Sequence, residues 1–83
     1  MAADPVLALR KKMLSAILER LEHAEYEEMT QAALAELLGI TRARLAMLRG
    51  KRMDAFSLES LARVAMALGL TVRVSVTRPY TQD

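Results

Sequence analysis

Residues Thr30 to Arg52 read TQAALAELLGITRARLAMLRGKR, and the reading of this stretch decides the fold. Leu34, Ala35, Leu37 and Leu38 recur at the spacing of one helical face, which predicts a helix over 31–38. Gly39 breaks that pattern and suits the positive φ of a helix-ending residue, while Ile40 closes the turn from its apolar side. Thr41 is a good N-cap for a second helix over 42–49, with Leu45 and Leu48 turned inward and Gly50 ending it. Two short helices, a tight turn and a basic loop make a helix-turn-helix arrangement, whose second helix can lie in a DNA major groove.

Outward from this stretch the pattern stays helical on both sides. Asp4 and Pro5 supply an N-cap and a first helical residue. Leu7, Met13, Leu14, Ile17, Leu18 and Leu21 then form an apolar stripe, predicting a first helix over about 5–25. Met29, just before the Thr30 N-cap, suits a hydrophobic staple against Leu34. Beyond the loop Lys51–Ala55, Phe56 plugs the core and Ser57 caps a fourth helix over about 58–68, with Leu58, Leu61, Val64, Ala65 and Leu68 inward. Gly69 ends it. The period then changes: Leu70, Val72, Val74 and Val76 alternate with Thr71, Arg73, Ser75 and Thr77, the mark of a strand over about 70–78 that Pro79 stops before a short tail. A lone strand leaves its backbone donors and acceptors unpaired, and no second strand is visible. The economical solution pairs two chains across a two-fold axis, with Val72, Val74 and Val76 in a homodimer interface; the competing one adds the strand to a sheet of a different protein.

The 83 residues make a single domain, 1–83. At 53% hydrophobic but only 4% aromatic, the core must be Leu, Ala, Val and Met, which suits close-packed helices. The absence of cysteine removes disulfides, thiolate metal sites and cysteine nucleophiles together. No apolar run approaches the roughly 20 residues of a membrane span and no signal peptide is visible, so a cytoplasmic protein with no membrane partner is expected. Net charge is only +2, but its distribution is uneven. Residues 1–28 carry four basic and six acidic groups, and residues 29–83 carry eight and four. Arg42, Arg44, Arg49, Lys51 and Arg52 crowd one stretch with no acid among them, a footprint expected where phosphates are met. His23, among glutamates, is read as a surface residue.

The segment resembles the helix-turn-helix of the XRE (Cro-type) repressors. Counting Gln31 as the first residue of the unit, small Ala35 sits where two helices approach closely, Gly39 at the turn, and Ile40, Leu45 and Leu48 at core positions. The continuation RGKRMDAFSLESLARVAMALGLTVRVSV is similar to a small XRE subgroup, often antitoxins of toxin–antitoxin pairs, in which FSLE-x-L and ALGL-x-V-x-V recur. This implies a mostly α, compact four-helix (lambda-repressor-like) domain with one C-terminal β-strand paired across a dimer. It also implies double-stranded DNA as partner, a toxin protein as a further partner, and no cofactor.

Read onto this sequence, the resemblance places Thr30, Gln31 and Thr41 at phosphates, with backbone amides at helix starts donating. Arg42, near the start of the recognition helix, becomes the first candidate for guanine O6 and N7; Ala43 suits a thymine methyl and Arg44 a base or phosphate. Met47 faces the groove where many relatives carry a small or polar residue. Arg49, Lys51 and Arg52 are assigned to phosphates. No serine has a plausible histidine partner, the three glycines stand singly, and the acidic residues around His23 form no compact ligand set, so neither a catalytic nor a metal site is expected. The leading expectation is a dimeric (auto)repressor reading an inverted repeat. Toxin neutralisation and a DNA-free interaction module stand as alternatives.

Overall fold

Each long helix begins where a side-chain oxygen meets the free amides of its first turn. A computed structural model describes residues 4–76. Asp4 Oδ1 accepts from the Val6 and Leu7 amides at 3.0 and 3.2 Å, with Pro5 opening helix α1, Pro5–Arg20. Thr30 caps α3, Gln31–Leu38, and Thr41 caps α4, Arg42–Arg49, each hydroxyl oxygen accepting an amide three residues on at 3.1 Å. Ser57 does the same for α5, Leu58–Ala67, at 3.1 Å. A one-turn helix α2, Ala24–Glu27, follows α1, and a short 3₁₀ turn, Met53–Ala55, precedes Phe56. Such caps are worth about 1 kcal/mol each, whereas fully burying a Leu or Ile contributes roughly 1.5–3 kcal/mol. The caps set where helices start; the core sets how they pack.

That core is one cluster. Leu14, Ile17 and Leu21 lie along Leu61, Val64, Ala65 and Leu68 as α1 packs against α5. Leu34, Ala35 and Leu38 of α3 and Leu45 and Leu48 of α4 fill the other side, with Phe56 buried at the start of α5.

Three expectations are corrected. The first helix does not run on to residue 25: α1 ends at Arg20, and His23 is extended (φ −68°, ψ 143°) before α2 begins. On a continuous helix at about 100° per residue, position 26 would lie roughly 140° from Leu21, and Glu25 and Glu28 would extend the buried stripe. The break turns Tyr26 into the core instead, where its hydroxyl donates to the Leu68 carbonyl at 3.3 Å. Leu37, expected on the inward face of α3, is 44% exposed, because the buried arc is filled by Leu34, Ala35 and Leu38.

The third correction is the strand. Residues 70–76 form none: the Leu70 amide closes α5 on the Ala65 carbonyl, and residues 71–76 make no backbone hydrogen bond among the described residues. No strand forms elsewhere among the described residues to pair with them. Leu70 and Val72 lie against the core, whereas Val74 and Val76 are 80% and 90% exposed. Residues 77 and 78, expected to continue the strand, and Pro79 with the tail lie outside the described residues.

Candidate nucleic-acid interface

The turn between α3 and α4 is a Schellman closure. Gly39 adopts φ 70°, its amide donating to the Glu36 carbonyl and the Ile40 amide to the Ala35 carbonyl. This directs the chain straight into the Thr41 cap. The same closure ends α5, where Gly69 at φ 80° donates to Met66 and Leu70 to Ala65. It ends α4 as well, but with a different residue at its left-handed position. There Lys51 stands at φ 61°, its amide donating to the Leu48 carbonyl at 3.1 Å and the Arg52 amide to the Met47 carbonyl at 3.0 Å. Gly50, one residue earlier, has φ −81° and so does not use glycine's freedom.

Helix α4 therefore has a defined inside and outside. Leu45 and Leu48 are fully buried. Arg42, Ala43, Ala46 and Met47 are exposed on the opposite side. Ala46 was not among the sequence-derived candidates; the complement of the Leu45/Leu48 face at helical spacing could have found it. Arg42 makes no hydrogen bond or ion pair among the described residues, and the same holds for the Lys51 side chain and for Gln31 at the exposed start of α3. The Thr30 and Thr41 hydroxyl oxygens accept from the backbone, which leaves each hydroxyl hydrogen free to donate outward.

The other arginines are differently placed. Arg44 is half-buried, donating from Nη2 to the Ala55 carbonyl at 2.6 Å with its guanidinium 4.5 Å from the centroid of the Phe56 ring. From the far side, Arg10 Nη1 of α1 donates to the Phe56 carbonyl at 3.2 Å and reaches the Met53 carbonyl at 3.5 Å. Two arginines thus hold the ends of the turn that follows the basic loop. Nothing in the sequence pattern marks Arg10, because a contact across forty-odd residues leaves no local signal. Arg52 pairs with Asp54 through two hydrogen bonds of 3.3 Å, which holds the Asp54 carboxyl below the usual carboxylate range and raises the Arg52 guanidinium. Arg49 lines a shallow depression with Leu18, Leu21, Glu22 and Glu27, so it sits beside acids rather than in an all-basic field.

Thr30, Gln31, Thr41, Arg42, Ala43, Met47, Lys51 and Arg52 are thus exposed around α3 and α4. Val72, Val74 and Val76 lie apart, on the segment after α5. Among the described residues no group of His, Asp or Glu is placed to hold a metal ion, and no helix is long and apolar enough to cross a membrane.

No match to a curated protein was found. Residues 2–77 match a family described as a helix-turn-helix domain, and that span includes α3, α4 and the Gly39 turn that joins them. The chain belongs to the helix-turn-helix domain family.

Proposed function

We propose that this chain is a sequence-specific DNA-binding transcriptional regulator of the XRE type, working as a dimeric repressor at an inverted repeat. The observation that supports it is the outward side of α4: a capped helix start at Thr41 with Arg42 unpaired among the described residues, and Lys51 just beyond the other end. On this reading Arg42 hydrogen-bonds a guanine edge, a contact worth about 1–3 kcal/mol of discrimination. Lys51, Thr30, Gln31 and Thr41 meet phosphates and fix register. Arg44 acts as a positioning residue, since leaving its present partners would strand the Ala55 carbonyl and uncover Phe56.

The dimer rests on the segment after Leu70. Val74 and Val76 are exposed and the segment's backbone is unpaired among the described residues, which favours a partner from outside the chain. A second copy sets two α4 helices about 34–36 Å apart, one turn of DNA. The same exposed segment favours, as a second reading, an antitoxin in which it packs on a toxin.

Fluorescence anisotropy with the gene's own upstream duplex and a shuffled control, at two salt concentrations, tests the first reading. Saturable binding that prefers the upstream duplex and weakens with salt is expected. No binding to either duplex at low salt would remove DNA from the account and leave the protein-partner reading.

A further inference from the structure

Major-groove readers usually carry long polar side chains on the groove-facing side of the recognition helix, because Asn, Gln, Arg and Lys match the donor and acceptor pattern of base edges. Helix α4 departs from this. Ala43, Ala46 and Met47 stand at i, i+3 and i+4, mutual neighbours on one face. All three are exposed, and together they form an apolar strip opposite Leu45 and Leu48. Arg42, i and i+4 with Ala46 at the edge of that strip, is exposed and makes no hydrogen bond among the described residues. Arg44 and Arg49 flank it, one tied to Ala55 and Phe56, the other beside Glu22 and Glu27.

We propose that this strip reads thymine C5-methyl groups, so that the half-site bound by α4 combines one guanine, taken by Arg42, with adjacent T·A pairs recognised by apolar contact. The inference deepens the DNA-binding reading and rests on it. Charge selects DNA over a protein as the occupant. The strip lies between Arg42 and Lys51, with no acidic residue in α4 and with the free hydroxyls and amides of two helix starts beside it. A protein docking on three apolar residues would have to bury those cations. A duplex neutralises them while its major-groove floor offers the one apolar group that bases possess. Two alanines on this face also let the α4 backbone approach the base edges closely, which brings the short methyl contacts within range. Met47 is flexible enough to fit a methyl whose position varies with local DNA shape.

The experiment uses the full chain and a tight duplex selected from a random library. Each thymine in that duplex is replaced in turn by deoxyuridine, which keeps every hydrogen bond and removes only the methyl. The expected result is a loss of about 3- to 4-fold at each of two or three adjacent positions, the worth of one buried methyl group, and none elsewhere. In Met47→Ala one of those losses should shrink while the others persist. A flat deoxyuridine scan on a duplex that is still preferred over its scrambled version overturns the inference and leaves DNA binding standing. A chain that does not discriminate selected from scrambled duplex overturns both. If Met47→Ala instead abolishes self-association in sedimentation and leaves DNA affinity unchanged, the strip belongs to a second copy of the chain.

Discussion

Lys51 occupies the left-handed position where α3 and α5 have glycine, at φ 61° against 70° and 80°. A side chain there costs about 1–2 kcal/mol, partly offset because a non-glycine residue orders the unfolded chain. Lys51→Gly should therefore raise the unfolding free energy by up to about 1 kcal/mol. Gly39→Ala, where an added Cβ meets nothing within 4 Å, should lower it by about 1 kcal/mol through φ alone. Urea midpoints at constant m check both. The informative comparison is with DNA. If Lys51 meets a phosphate, the more stable Lys51→Gly protein should bind DNA more weakly, and its slope of log affinity against log salt should fall by about 1. A stabilised variant with unchanged slope would leave Lys51 without a phosphate.

At the scale of elements, the break between α1 and α2 matters most because it seats Tyr26. The Leu68 carbonyl receives two donors, Tyr26 Oη at 3.3 Å and Arg20 Nε at 3.1 Å. Either donor alone still satisfies it, so Tyr26→Phe should cost about 1 kcal/mol, whereas removing both leaves a buried acceptor unpaired. A double-mutant cycle of Tyr26→Phe and Arg20→Ala should show a loss larger than the sum by about 1 kcal/mol; strict additivity would mean that water takes the vacated place. The contrast explains what the sequence could reveal. Asp4, Thr30, Thr41, Ser57, Gly39 and Gly69 act on neighbours two to five positions away, and each was legible as written. The outer face of α4 followed from the same local logic, with Ala46 overlooked because alanine carries no signal of its own. Tyr26, Arg10, Arg20 and Arg44 find their partners through the packing of distant helices, or in Arg44's case across a loop, and neither hydropathy nor spacing encodes that. The alternating valines carry β propensity, which by itself makes no strand. They could not supply the second strand that a ladder requires.

For the whole molecule the question is what covers residues 71–76. Leu70 and Val72 anchor the segment on the core, and the Leu68 carbonyl clamp fixes the direction in which it leaves α5. If a second copy pairs with it, truncation after Leu70 should yield monomers in sedimentation equilibrium with helical circular dichroism per helical residue unchanged. DNA affinity should drop to that of a single half-site. A truncated chain that remains dimeric would place the interface elsewhere. The Arg52–Asp54 pair has its own consequence at this scale. If Arg52 meets a phosphate, the Asp54 carboxylate competes for the same guanidinium, so a duplex must displace it before Arg52 engages, whatever its sequence. That toll would fall equally on every stretch of genome, whereas the proposed contacts of α4 favour only the correct one. On the proposed reading Asp54 would thereby shorten the time spent on wrong sites, letting a sparse regulator scan chromosomal DNA without being trapped by it.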